Sequence, residues 1–172
     1  AYALAAMALA ASIDIPVQAM VESLKSFTGL PHRCQWVRTV NSVDWFNDSK
    51  ATNVGACIAS IQGLSDLGSI ILIAGGDSKN ADLSDLVPVA IQSVKKVLLL
   101  GADAEKIAAL IDTNVPYEFV KDMSSAVSLA NDIAKLGDLV LLAPACASLD
   151  MFDNYQQRGD VFVAAVNALE EK

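Results

Sequence analysis

Apolar residues change their spacing along this chain, and each change marks an element. The opening "AYALAAMALAAS" and the following "DIPVQAMVESLKSF" repeat apolar residues at helical intervals. In the second helix Pro16 falls in the first turn, where its missing N–H costs nothing, and Gly29 follows as a stop. Pro31 disfavours helix at Leu30, so "GLPHR" reads as a linker. The period then shortens. "CQWVRTV" and "VDWF" predict two strands joined by the turn residues Asn41 and Ser42. A helix over about 53–64 leads to the buried strand "SIILIAG". A helix over about 84–93, the strand "KVLLL", the helix "AEKIAALI" and the strand "YEFV" follow. A helix over about 124–136, the strand "LVLLA" and a last helix ending near Leu169 complete the chain. Near-continuous apolar strands set between helices predict a mostly parallel sheet covered on both faces. The fold class is α/β, Rossmann-like, preceded by two helices.

That class carries a geometric expectation. Ligands of open parallel sheets bind beyond the carboxyl ends of the strands. Three polar loops directly follow strands: "NDSKATN" after "VDWF", "GGDSKNAD" after "SIILIA", and "PACASLD" after "LVLLA". If those strands are parallel, the loops emerge at one edge, carrying Lys50, Thr52, Lys79 and Ser148, with Arg158 just beyond the third. Lysines and hydroxyls gathered there suit a carboxylate or a phosphate.

Composition narrows the partners. The 172 residues suffice for one well-buried domain and are short for two, and 53% hydrophobic with 19% charged residues is a globular balance. A formal net charge of -8 argues against nucleic acid or an anionic membrane as a partner, so positive charge for an anionic ligand must be concentrated locally. The three cysteines, Cys34, Cys57 and Cys146, show no C-x-x-C spacing and read as reduced thiols of a cytosolic protein. With His32 the single histidine, a multi-histidine metal site within the chain is excluded. The opening stretch is too short to span a bilayer and lacks a basic leader and cleavage pattern. A helix that starts abruptly, without an initiator Met, reads as a cut edge, so a piece of a longer protein is expected.

Every feature also has a plainer reading. Asp48, Ser49, Thr52 and Asn53 could simply cap the next helix. "GGDSK" is not G-x-x-x-x-G-K-[ST], no G-x-G-x-x-G occurs, and Gly75 and Gly76 alone suggest a tight turn. Cys146 is expected to be a small buried residue, since nothing pairs it with His32, and Ser148 lacks the G-x-S-x-G elbow of a hydrolase. Trp36 and Trp45 fall in strand patterns and are expected in a core or an interface.

Four ordered stretches carry the reading further. "TGLPHR", "NDSKATN", "GGDSKNADL" and "PACASLDMFDNYQQRGDVF" together resemble the C-terminal part of the Mur ligase family, in its D-glutamate-adding branch. Sister branches usually place an Asp-Tyr-Ala-His type sequence where this chain has "NDSKATN". The resemblance implies an ATP-dependent, amide-forming enzyme of peptidoglycan precursor synthesis, working in the cytoplasm without nucleic acid or membrane insertion. ATP with Mg²⁺ phosphorylates the L-alanine carboxyl of UDP-N-acetylmuramoyl-L-alanine, and the D-glutamate amine attacks the acyl phosphate, leaving ADP and phosphate. It also implies that residues 1–29 close a central ATPase domain and that residues 30–172 form the C-terminal domain. The P-loop and carbamylated lysine of that central domain are absent here, so the chain alone is expected to be inactive and to hold no catalytic residue or metal ligand. Carried over by position, His32, Arg33 and Asp48 lie near the nucleotide, with Asp48 on the ribose hydroxyls and Arg33 toward the phosphates. Lys50, Thr52, Lys79, Ser148 and Leu149 surround D-glutamate, Leu149 through its N–H. Tyr155 stands where the family has a phenylalanine whose backbone contacts the glutamate, so the change is expected to matter little. Two other readings stay open: a stand-alone α/β module binding an acidic metabolite, and a sister ligase adding another amino acid.

Overall fold

The structure, a computed structural model, describes residues 2–171. Ala1 and Lys172, at the two ends of the expected segments, lie outside the described residues. The chain divides into two compact units, one reaching to Leu30 and one beginning at Pro31. The first holds α1 (Tyr2–Ala11) and α2 (Val17–Ser26), with Pro16 as the extended residue that starts α2.

The second unit is built on one six-stranded sheet. Its elements in chain order are β1 (Gln35–Val40), β2 (Val43–Asn47), α3 (Val54–Leu64), β3 (Ile70–Gly75), α4 (Leu86–Ser93), β4 (Val94–Leu100) and α5 (Ala104–Ile111). They continue with β5 (Tyr117–Phe119), α6 (Met123–Ile133), β6 (Leu139–Leu142) and α7 (Tyr155–Asn167). The strand order is β1-β2-β6-β3-β4-β5, and every neighbouring pair is parallel except the β1–β2 hairpin. That hairpin turns through Asn41 and Ser42, both left-handed, at the positions the turn chemistry predicts.

Period-two alternation sorts the central strands onto two cores. Ile70, Leu72 and Ala74 of β3 pack with α3, α4 and α5 on one face. Ile71 and Ile73 pack with α6 and α7 on the other. Burial on both sides explains why β3, β4 and β6 carry no polar alternation in sequence. Trp45 is fully buried on the second face, with its indole N–H lacking an acceptor among the described residues. Of the two places expected for Trp36, a core or an interface, the core is excluded: it lies on the edge strand, 56% exposed, and donates to Asp44 across the hairpin. β4 follows α4 without a loop. The strand order sets β2, β6 and β3 side by side. Because these three run parallel, residues 48–53, 76–85 and 143–154 leave the sheet at the same edge, as the sequence predicts.

Candidate functional site

The first loop is anchored by the residue that ends β2. Asn47 is fully buried, and its Oδ1 accepts the N–H of Ser49 at 3.1 Å. Its Nδ2 is therefore the donor, reaching His32 Nδ1 at 3.0 Å. That bond assigns the ring proton of His32 to Nε2, which faces Asp160 at 3.6 Å. Gly159, in the first turns of α7, leaves the room this ring needs, because a Cβ there would press into the imidazole. The backbone carbonyl of His32 accepts the N–H of Lys50 at 3.1 Å, so the linker and the loop are one structure. Arg33 is exposed, and its side chain makes no ion pair among the described residues.

Within the loop the polar residues divide their work. Asp48 is 9% exposed, donates its N–H to Leu142 O at 2.8 Å, and accepts a hydrogen bond from Ser60 of α3 through Oδ2. No cation among the described residues pairs with it, an expensive arrangement for a buried carboxylate unless a ligand uses the second oxygen. Lys50 holds its ammonium 4.0 Å from the centre of the Tyr155 ring, which in turn meets His32 edge-on. Thr52 is half-buried, with a hydroxyl that bonds to nothing described. Of the four suspected caps, Asn53 alone caps α3, accepting the N–H of Ala56 at 2.9 Å.

The second loop turns through Gly75 and Gly76, both at φ 124°, where a Cβ would strike the carbonyl of Leu100 or of Ala147. Beyond them Asp77 and Ala147 exchange both backbone hydrogen bonds, at 3.1 and 2.8 Å, joining the second loop to the third. Ser78 donates its N–H and hydroxyl to Asp103 Oδ2, while Lys106 bonds Oδ1 at 2.9 Å. Lys79 then projects from a left-handed residue (φ 52°), exposed and unpaired among the described residues. In the third loop Ser148 is 3% exposed, and its carbonyl accepts the N–H groups of Met151 and Phe152. Its hydroxyl and the N–H of the exposed Leu149 have no described partner. Tyr155 opens α7, and its carbonyl accepts the hydroxyl of Ser49 at 2.7 Å.

All nine sequence-predicted residues, Leu149 included, lie on the three loops, on the linker before β1 or at the start of α7. Arg158, just beyond the third loop in sequence, does not face the ligand edge. It is 2% exposed and turned inward onto Ser49 and Cys146. Cys146 is buried, and burial pushes its thiol up to about 12, so it is a poor nucleophile near neutrality. Asn47 and Asp103 have no role in the sequence reading, and Ser49 enters it only as a possible helix cap. A polar residue ending an apolar strand was the available signal for Asn47.

Asp103 gives a pH-dependent test of this edge. Lys106, and then Ser78, hold its carboxyl at about 2, below the ordinary 3.8. A depressed folded value contributes stability above about pH 4 that is lost as pH falls toward 2. Asp103→Asn is expected to lower the melting temperature at pH 7 and to converge on the unsubstituted protein between pH 4 and 2. A gap that stays constant across that window would assign the loss to shape and not to charge.

Comparison with known proteins agrees with this architecture. A model of the Mur ligase glutamate ligase domain matches residues 32–146. UDP-N-acetylmuramoylalanine--D-glutamate ligase of Pseudomonas syringae pv. tomato is 52% identical over 171 residues, 98% of this chain and 38% of that protein. The ligase of the same name from Legionella pneumophila (strain Lens) is 49% identical over 169 residues, again 38% of its length. The chain therefore spans well under half of the curated relatives it matches. Among solved structures, UDP-N-acetylmuramate-alanine ligase of Thermotoga maritima shares the fold with a TM-score of 0.67 at 14% identity, covering 96% of this chain and 37% of that one. The MurF ligase of the same organism, in complex with ADP, superposes with a TM-score of 0.65 at 16% identity, over 94% and 36% of the two chains.

Proposed function

The chain belongs to the Mur ligase family, through its glutamate ligase domain, and we propose that it is the D-glutamate- and nucleotide-contacting part of a ligase that adds D-glutamate to UDP-N-acetylmuramoyl-L-alanine. The observation that carries this reading is the pair of roles at one sheet edge. Lys50, Thr52, Lys79, Ser148 and the N–H of Leu149 offer donors suited to carboxylates, while Asp48 offers an acceptor with no cation of its own.

Carboxylate recognition follows from that chemistry. Lysine ammonium groups and hydroxyls hold the two carboxylates of D-glutamate and so present its amine to the activated carboxyl. The ring of Tyr155, not its backbone alone, takes part here by seating Lys50. The nucleotide fits the linker side. Arg33 is exposed and free to meet phosphates, and Asp48 retains one oxygen for ribose hydroxyls. His32 fits as a buried wall, because Asn47 already occupies its Nδ1. ATP supplies phosphorylation of the substrate carboxyl, giving the acyl phosphate that the amine attacks. On this reading Mg²⁺ accompanies the ATP phosphates and is held mainly by the ATPase part of the full-length protein. Residues 1–29 are read as the closing helices of that part, an ATPase domain. No helix of the described residues is long and apolar enough to cross a membrane. The ligase reading itself implies a cytoplasmic enzyme.

The test is an amino-acid competition. Full-length protein with ATP and UDP-N-acetylmuramoyl-L-alanine is expected to release phosphate with D-glutamate and not with L-alanine, L-lysine or meso-diaminopimelate. The chain of residues 1–172 alone is expected to release none, since it carries no P-loop. Turnover with another amino acid would favour a sister ligase, and binding of D-glutamate without turnover of the full-length protein would favour a sensing module.

A further inference from the structure

Arg158 is the most deeply buried cation described, and none of its partners is a carboxylate. Its Nε donates to Ser49 Oγ at 3.0 Å, Nη2 to Ser49 O at 2.9 Å and Nη1 to Cys146 O at 3.1 Å. Burial lowers its pKa to about 10, which leaves it charged near neutrality. A buried guanidinium whose hydrogen bonds all go to neutral acceptors, with the Asp150 carboxylate acting only at longer range, is costly, and a core that needed only volume would place an apolar residue here. The three acceptors explain what the charge does. Ser49 lies between Asp48 and Lys50 in the first loop. Cys146 lies two residues before Ser148 in the third. The Ser49 hydroxyl in turn donates a hydrogen bond to the carbonyl of Tyr155, at the head of the helix that carries Arg158. One planar fork therefore fixes the spacing between the two loops and the start of α7. The backbone pair Asp77–Ala147 extends the same tie to the loop of Lys79.

We propose that Arg158 is a positioning residue for D-glutamate, setting the distance between Lys50 and Thr52 on one loop and Ser148 and Leu149 on the other. This rests on the ligase reading above. The nucleotide side has further anchors, Asp48 on Leu142 and Ser60 and His32 on Asn47, which also accepts the N–H of Ser49. Loss of the fork should therefore fall more heavily on D-glutamate than on ATP.

The experiment compares Arg158→Gln, Arg158→Lys, Ser49→Ala and the Arg158→Gln/Ser49→Ala double variant in the full-length enzyme. The KM for D-glutamate is expected to rise roughly ten- to thirtyfold in Arg158→Gln, with that for ATP within about twofold. Arg158→Lys restores only part, because a point charge cannot serve three acceptors in one plane. Ser49→Ala gives a smaller rise, and the double variant falls short of the product of the two singles. Lower melting temperatures with both KM values unchanged, equal rises for both substrates, or strictly multiplicative effects would overturn the proposal. Should Arg158→Gln fail to fold, Ser49→Ala and Arg158→Lys decide it by the same split. Amide hydrogen exchange separates the two levels of inference. If the unsubstituted protein does not add D-glutamate, the ligase reading fails by itself. Arg158→Lys must still speed exchange in both residues 48–53 and residues 144–150, and a change in one or neither refutes the tie.

Discussion

Lys79→Ala in the full-length enzyme is expected to raise the KM for D-glutamate about ten- to a hundredfold, with the KM for ATP changed less than about threefold. Loss of a charge-assisted contact to a carboxylate is worth about 1.5–3 kcal/mol, which sets that range. The surrounding structure makes the substitution a clean one. Lys79 occupies a left-handed conformation at φ 52°, and alanine, which also carries a Cβ, neither adds nor relieves strain there. The fixed features of the loop belong to other groups. The backbone N–H of Lys79 bonds Asp77 Oδ1 at 2.7 Å, Asp77 pairs with Ala147, and Ser78 is held by Asp103. None of these needs the ammonium group. Melting temperature should therefore stay within about a degree or two, since exposed substitutions away from such contacts fall within about 0.5 kcal/mol. Steady-state kinetics with each substrate varied in turn gives the measurement. Equal rises for both substrates would move Lys79 from ligand binding to closure of the full-length enzyme.

Sheet, strand boundaries and the shared edge of the three loops were legible in the sequence because they depend on period and burial alone. "SIILIAG" and "LVLLA" can only be strands buried on both faces, and helices between them force parallel pairing. The candidate ligand contacts came from resemblance, with spacing contributing only their placement on loops. What neither supplied was the wiring beneath. Arg158 lies nine residues beyond Leu149 and reads as one more exposed cation, yet the helix that begins at Tyr155 rolls it inward onto Ser49. Ser49 looks like a cap and is instead the crossing point of two loops. Asn53 looks the same and does cap. Local sequence cannot separate these two, because the difference lies in a contact 109 residues away along the chain. Whether Trp36 belonged to a core or to an exposed surface was open for a related reason. A strand pattern fixes the alternation of side chains but not whether the strand stands at the edge of its sheet.

The same loop supports the sharpest contrast. Asp48→Ala is expected to raise the KM for ATP by about tenfold or more and to spare D-glutamate, whereas Thr52→Ala is expected to do the reverse. Asp48 and Thr52 lie four positions apart, but their surroundings separate them. Asp48 is 9% exposed, takes the Ser60 hydroxyl on Oδ2 and has no cation partner, so its other oxygen can only accept. An acceptor suits ribose hydroxyls and would repel a glutamate carboxylate. Thr52 carries an unspent hydroxyl proton and can donate to that carboxylate. The backbone around both is secured without their side chains, through Asp48 N–H to Leu142 O, Ala51 N–H to Asp48 O and Thr52 N–H to Lys50 O. Asp48→Ala also leaves the Ser60 hydroxyl its bond to Ala56 O at 3.0 Å, so no buried donor is orphaned. Asn53→Ala supplies the structural control: a lost cap costs about 1 kcal/mol and should lower the melting temperature with both KM values unchanged. If Asp48→Ala and Thr52→Ala behave like Asn53→Ala, the loop is a folding element and the ligand assignment fails. If they split between the two substrates, two positions of one loop serve two ligands, and charge sets the separation: a carboxylate without a cation partner on one side and a neutral donor on the other.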